Sequence, residues 1–207
     1  MLVTELLRQN ARRYPDEEAL CALDARDLRP FDDAAYDARR QSLTWKEFDD
    51  AANRVANYYH SVGIGPGKKV AIALQNRIEW LPIYFGILRS GAVAVPLNFR
   101  YQPADIIRSV DFAEIDAFVF SDYCREAMVA SQPSLGRVAS YIYVDGKEPC
   151  PDFALPMSET FDCADAADPE ETLRAEDMAA IYFSSGTTGM PKAVIYTHGM
   201  LASIPWV

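Results

Sequence analysis

The chain holds little from which a metal site or a disulfide framework could be built. Its 207 residues contain four cysteines and two histidines. Cys21, Cys124, Cys150 and Cys163 are widely spaced, no two form a CxxC pair, and only His60 and His198 could join them. No metal site is therefore expected. There is no run of eighteen apolar residues, so no membrane span is expected either. The opening stretch, MLVTELLRQNARRYP, has the spacing of an amphipathic helix. It lacks the continuous apolar core and small-residue cleavage site of an export signal. Reduced thiols in a cytoplasmic protein are the expectation. Basic stripes are missing too, which argues against nucleic acid as a partner.

What is present is ordinary in bulk and uneven in detail. Half of the residues are apolar and 24% are charged, the balance of a globular domain with a proper core. The net charge of −10 is concentrated. Residues 145–177 carry eleven acids against Lys147 and Arg174, a net −9, and read as a solvated acidic connector. An anionic ligand would have to be held by local donors, not by the overall field.

Such donors crowd into one place. Residues 182–194 read YFSSGTTGMPKAV. Ser184, Ser185, Thr187 and Thr188 supply four hydroxyls within five positions. Gly186 and Gly189 allow a tight turn and a close approach of backbone to ligand. Pro191 stiffens the exit and Lys192 adds a positive charge. Backbone N–H groups, hydroxyls and a cation at one spot suit a polyphosphate. A Walker loop is excluded, because Pro191 stands where that motif needs glycine before the lysine. The loop also lies between two strand-like runs, 178–183 and 192–196, and not before a helix whose dipole could help. Hydroxyls must then supply many of the donors.

Periodicity along the rest of the chain predicts alternating strands and helices. A helix is expected over 3–13, ended by Pro15, with Leu6, Leu7 and Ala11 on one face. A strand follows at 18–23, then a polar loop or splayed hairpin over 24–41. Thr44 and Glu47 form a capping box for a helix whose apolar face is Phe48, Ala51, Ala52, Val55 and Tyr59. The glycines of 63–67 follow a helix and precede a strand, the wrong order for a dinucleotide fingerprint, and read as a turn. Strands are expected at 69–74, 92–95, 115–120 and 141–144. Helices are expected from a cap at Asn76 and Glu79 to about 89, from Pro103 onward, and over 124–130. Strands apolar on both faces belong in a mainly parallel sheet covered by helices. The fold class is α/β, a three-layer α/β/α domain.

With those residues in view, the chain resembles the adenylate-forming superfamily, whose members include acyl-CoA synthetases, peptide-synthetase adenylation domains and luciferases. The usual pattern is Tyr-Thr-Ser-Gly-Thr-Thr-Gly-x-Pro-Lys-Gly. Phe183 stands at the tyrosine, Ser184 at the first threonine, and the five residues from Ser185 to Gly189 match throughout. Ala193 replaces the last glycine, which would strain the turn if that position needs a positive φ. An ordinary Ser/Thr/Gly surface turn would not keep eleven positions in order. The stretch from Leu43 to Ile106 also looks like the large-domain start of acyl-CoA synthetases. AVPLNFR, followed by a proline-started helix, favours carboxylate–CoA ligases over peptide-synthetase domains.

The resemblance implies an ATP-dependent carboxylate–CoA ligase that works in two steps. A carboxylate attacks ATP to give an acyl-adenylate and pyrophosphate, and a thiol, usually of coenzyme A, then takes the acyl group. ATP, Mg2+, coenzyme A and a small carboxylic acid are the implied cofactors and substrates, with fatty acid metabolism as the setting. Ser184, Ser185, Gly186, Thr187, Thr188 and Gly189 are implied to grip phosphates, and Lys192 to bind them and stabilise charge during catalysis. His198 could border the acyl pocket or serve as a helix-start histidine bonded to backbone; His60 is expected to be structural. Residues 1–207 would be the first subdomain of the large N-terminal domain, with the small C-terminal lid outside the chain. Such a piece is expected to fold without forming acyl-adenylate alone. Its uncovered apolar surface would favour homo-oligomers. Two other readings stay open: a non-catalytic nucleotide- or phosphate-binding protein or scaffold, and an adenylation domain with another acceptor.

Overall fold

The computed structural model describes residues 1–23, 39–144, 146–169, 173–184 and 192–203. Helix α1 spans Val3–Arg13 and buries Val3, Thr4, Leu7 and Arg8. Strands β1 (Glu18–Leu23) and β2 (Arg40–Thr44) pair antiparallel, as a splayed hairpin would. The rest of the expected 24–41 loop falls outside the described residues. Helix α2 (Trp45–Ser61) starts at the predicted capping box. The Thr44 N–H donates to Glu47 Oε2 at 2.8 Å, and the Glu47 N–H donates to Thr44 Oγ1 at 3.2 Å. These two bonds satisfy donors that the helix itself leaves open.

A seven-stranded sheet is the centre of the molecule. Its strands are β3 (Lys69–Ala73), β4 (Val93–Pro96), β5 (Ala117–Phe120), β6 (Ser140–Tyr143), β7 (Leu155–Pro156), β8 (Met178–Ser184) and β9 (Lys192–Thr197). Their spatial order is β7-β6-β5-β3-β4-β8-β9. Every neighbouring pair is parallel except β8 with β9. Helices α3 (Trp80–Arg89), α4 (Pro103–Ala113), α5 (Asp122–Ser131) and the short α6 (His198–Ser203) cover it.

Strand alternation divides the core in two. Val70, Ile72, Ala94, Ala117, Val119 and Ile142 point to one face, against α1, α2, α3 and α6. Ala71, Ala73, Val93, Val95, Phe118 and Phe120 point to the other, against α4 and α5. The three-layer architecture follows from that two-sided burial. Among the described residues no helix is long and apolar enough to cross a membrane.

Two details depart from the sequence expectation. Asn76 does not cap a helix: α3 begins only at Trp80, and Glu79 makes no side-chain cap. Glu79 is instead gripped by Arg77, whose Nε and Nη2 donate to its two oxygens at 2.7 and 3.0 Å. Pro82 falls in the first turn of α3, where a missing N–H has no helical acceptor to lose. The acidic stretch is the second departure. Its carboxylates at Asp152, Glu159, Asp162, Asp165 and Asp168 are exposed, but its apolar residues are anchored. Phe161 is 1% exposed, edge-on to Tyr58 and Tyr59 of α2. Arg8 of α1 meets Asp168 at 2.8 Å.

Helices α2 and α3 pack closely because Gly86 faces Val55. A Cβ at Gly86 would lie 2.4 Å from Val55 Cβ and 2.7 Å from the Ala52 carbonyl oxygen. Arg89 locks the same interface. It is 1% exposed, yet its guanidinium donates to Asn53 Oδ1 at 2.6 Å and to Asp49 Oδ1 at 2.5 Å. A buried charge is tolerable only with partners of this kind.

Candidate functional site

Of the residues expected to grip phosphate, Ser184 ends β8 and Lys192 opens β9, and the two strands pair as a hairpin. The register runs from Met178↔Thr197 to Ser184↔Lys192, with an irregularity between Met178 and Ala180. Both strands are where the apolar runs predict them. Ser184 and Lys192 close the described part of the hairpin and are exposed. The Ser184 hydroxyl donates to the Lys192 carbonyl oxygen at 3.4 Å. Ser185, Gly186, Thr187, Thr188 and Gly189 lie outside the described residues. Because β8 is parallel to β4, Ser184 at its end lies at the carboxyl edge of the parallel strands. That is the edge at which α/β sheets present ligand sites.

The open question about Ala193 has an answer in the geometry. Ala193 lies inside β9, opposite Phe183. Among the described non-glycine residues only Glu114 has a positive φ. Alanine is therefore unstrained there.

A second feature opens on the same edge. Phe99, Arg100, Tyr101, Gln102 and Pro103 follow β4 and face Tyr123, Cys124 and Glu126 of α5 across a cavity of about 430 Å³. The Phe99 and Tyr123 rings meet edge-on at 5.1 Å, and the Arg100 guanidinium stands 5.4 Å from the Phe99 ring centre. The chain order of the strands reverses here: β3 leads to β4 on one side, and β5 returns to the other. The AVPLNFR run gave the strand and the helix start, but nothing in the sequence showed that α5 would close a cleft against it. Cys124 is no nucleophile in this cleft. Burial pushes its thiol up to about 11, and its S–H donates to the Ala73 carbonyl at 3.3 Å.

The two histidines part company. His60 is exposed at the end of α2, and its Nε2 lies 3.1 Å from the Ser90 carbonyl, the expected structural role. His198 opens α6 immediately after β9 and is 0% exposed. Its backbone N–H donates to the Asp177 carbonyl at 3.1 Å, but neither ring nitrogen has a hydrogen-bond partner. Burial holds its pKa below 6.5, against the opposing pull of Asp177. The ring is thus neutral near pH 7, and it is buried in the body of the domain.

Comparison with known proteins fits this geometry. The family described as "AMP-binding enzyme" matches residues 7–204. The 3-hydroxybenzoate–CoA/4-hydroxybenzoate–CoA ligase of Thauera aromatica is 32% identical over 163 residues, covering 76% of this chain and 30% of that protein. The long-chain-fatty-acid–CoA ligase FadD13 of Mycobacterium tuberculosis is 28% identical over 169 residues, covering 75% and 30%. Among solved structures, an anthranilate CoA ligase in complex with anthranoyl-AMP superposes with a TM-score of 0.80 at 19% identity. That match covers 96% of this chain and 35% of the other. The chain therefore spans about a third of the length of the relatives it matches.

Proposed function

The chain belongs to the AMP-binding enzyme family, and on that premise we propose that it serves an ATP-dependent carboxylate–CoA ligase. In the first step a carboxylate oxygen bonds to the α-phosphorus of ATP, and the bond from that phosphorus to the bridging β-phosphate oxygen breaks. Pyrophosphate leaves, and an acyl-adenylate remains. In the second step the thiol of coenzyme A gives up its proton to solvent, its sulfur bonds to the acyl carbon, and AMP departs with the electron pair of the broken C–O bond.

The task of the hairpin tip in this reading is to grip the phosphates that become pyrophosphate. Ser184, Ser185, Thr187 and Thr188 would donate hydroxyl hydrogen bonds, Gly186 and Gly189 would let the backbone approach, and Lys192 would balance the charge that grows on the leaving group. Fixed donors aimed at developing charge lower a barrier without reorganising. Holding the ATP chain in line for attack adds the orientation effect. Magnesium would arrive as the counter-ion of ATP: among the described residues no three His, Cys, Asp or Glu side chains stand together as a metal site. The cytoplasm is the setting that suits four cysteines joined by no disulfide.

The observation that carries the reading is the family match over residues 7–204, which takes in the whole hairpin. The test is calorimetric titration of the chain with ATP and with inorganic pyrophosphate. Binding is expected, and Lys192→Ala should weaken it about tenfold, the effect of losing one charge-assisted bond. Absence of binding by the parent chain, or equal binding by the variant, would remove Lys192 from the grip.

A further inference from the structure

The hairpin that carries the candidate phosphate residues Ser184 and Lys192 lies beside β4 and extends past its end. Neighbours among β3, β4, β5 and β6 each share four registered pairs. Between β4 and β8 the register passes through Ala94↔Ala180. Counting on from that pair sets Pro96, the last residue of β4, beside Tyr182. Proline has no N–H to extend a ladder. Phe183 and Ser184 therefore run past the end of their neighbour.

What holds the projecting end is a pair of aromatic contacts, one on each face. On one face the Tyr182 hydroxyl lies 2.9 Å from the hydroxyl of Tyr84 in α3. On the other, the Phe183 ring centre lies 5.9 Å from that of Phe112 in α4. The first contact is the more directional. Tyr84 is 6% exposed, stacked on Trp80 at 5.3 Å and edge-on to Phe85 at 6.0 Å, so its ring is fixed to the body. Tyr182 is edge-on to Tyr196 of β9 at 5.4 Å, so its own ring spans both strands of the hairpin. Ser184 is two residues beyond Tyr182 and hence on the same face. Lys192 stands opposite Ser184.

We infer that Tyr84 is a positioning residue for the phosphate site: through its hydroxyl bond to Tyr182 it sets where the hairpin presents Ser184 and Lys192. This rests on reading the hairpin tip as a polyphosphate grip. A phenylalanine at position 84 would fill the same core volume and keep the stack on Trp80. Among the described residues the hydroxyl contributes the one directional bond between α3 and the hairpin, and a misplacement of donors by a fraction of an ångström weakens charge-assisted bonds.

The experiment titrates the chain with inorganic pyrophosphate, comparing the parent with Tyr84→Phe, Tyr182→Phe and the double variant. Tyr84→Phe is expected to bind about five- to tenfold more weakly, the range of one lost hydrogen bond. Tyr182→Phe should match it, and the double variant should be no weaker than either single one, because both remove the same bond. Trp80 supplies a readout that a purely structural role would not move. With Trp45 and Trp206 replaced by phenylalanine, pyrophosphate should change Trp80 emission in the parent and not in Tyr84→Phe at saturation. If Tyr84→Phe melts lower yet binds pyrophosphate and shifts Trp80 as the parent does, the bond is only structural and the inference is overturned, while the phosphate reading stands. If the parent itself does not bind pyrophosphate, both fall. Should Tyr84→Phe fail to fold, Tyr182→Phe decides by the same criteria.

Discussion

The block of β3 to β6 and the β8–β9 hairpin belong to one sheet but are built by different rules. In the block, strands are short, buried on both faces and joined by regular parallel ladders. Apolar volume and register dominate there, with side-chain bonds such as Lys69 N–H to Asp116 at the strand ends. The hairpin is longer, its outer strand leaves Val194 at 42% and Ile195 at 51% exposure, and its end runs past β4. The proposed phosphate site belongs to the hairpin. On that reading, a rigid layer carries the site without containing it, through side-chain contacts such as Tyr84 to Tyr182.

The largest blow to this contrast would come from the body. Gly86→Ala puts a Cβ 2.4 Å from Val55 Cβ, so α2 and α3 must separate. A loss of about 3 kcal/mol is expected from overpacking, reduced somewhat by the better helix propensity of alanine. Urea unfolding would measure it, and the molecules that remain folded should bind pyrophosphate as the parent does. A variant as stable as the parent would show that the interface is softer than its geometry.

A middle-sized effect is expected where the hairpin joins the body. The His198 pKa is lowered in the folded chain, so below pH 6.5 the unfolded chain takes up a proton that the folded one refuses. Stability is therefore full above pH 6.5 and falls as the pH drops from there toward the lowered folded value. Denaturant melts at pH 7.5 and pH 5.5 should show the loss, and His198→Gln should flatten that part of the profile. An unchanged profile would mean that protonation elsewhere governs the acid limb. The smallest effect belongs to Ala193→Gly. It should cost about 0.5–1 kcal/mol, as glycine does inside a strand, with no gain in pyrophosphate affinity. A gain would return the turn to position 193.

Much of the body was legible in the sequence because its signals are local. The capping box at Thr44 and Glu47, the proline opening α4 and the two-faced apolar strands need only near neighbours to act. The hairpin was legible for the same reason, as two apolar runs around a polar turn. The failures turn on which partner a side chain finds. Glu79 was free to cap a helix until Arg77 claimed its carboxylate. Nothing in the sequence showed that Arg89 would be buried between Asp49 and Asn53. No periodicity shows that Tyr84 and Tyr182 will meet, since their hydroxyls are brought together only by the folded layer. Of the candidate site, residue types and hairpin setting could be read from the chain; the cleft beside Phe99 and Tyr123 could not.

The acidic stretch bears on how this chain can change over time. Helix α2 holds it through side chains that reach for main-chain oxygen. Arg54 donates to the carbonyls of Asp162 and Ala164, Asn53 to that of Ala166, and Asn57 to those of Asp165 and Ala167. Every residue has a carbonyl, so these contacts are indifferent to which side chain follows. Substitutions along 162–167 should therefore accumulate freely while the route of the stretch stays put. A single change at Arg54 or Asn57 would do what many changes in the stretch itself would not. The instructions for that path are stored in the helix beneath it.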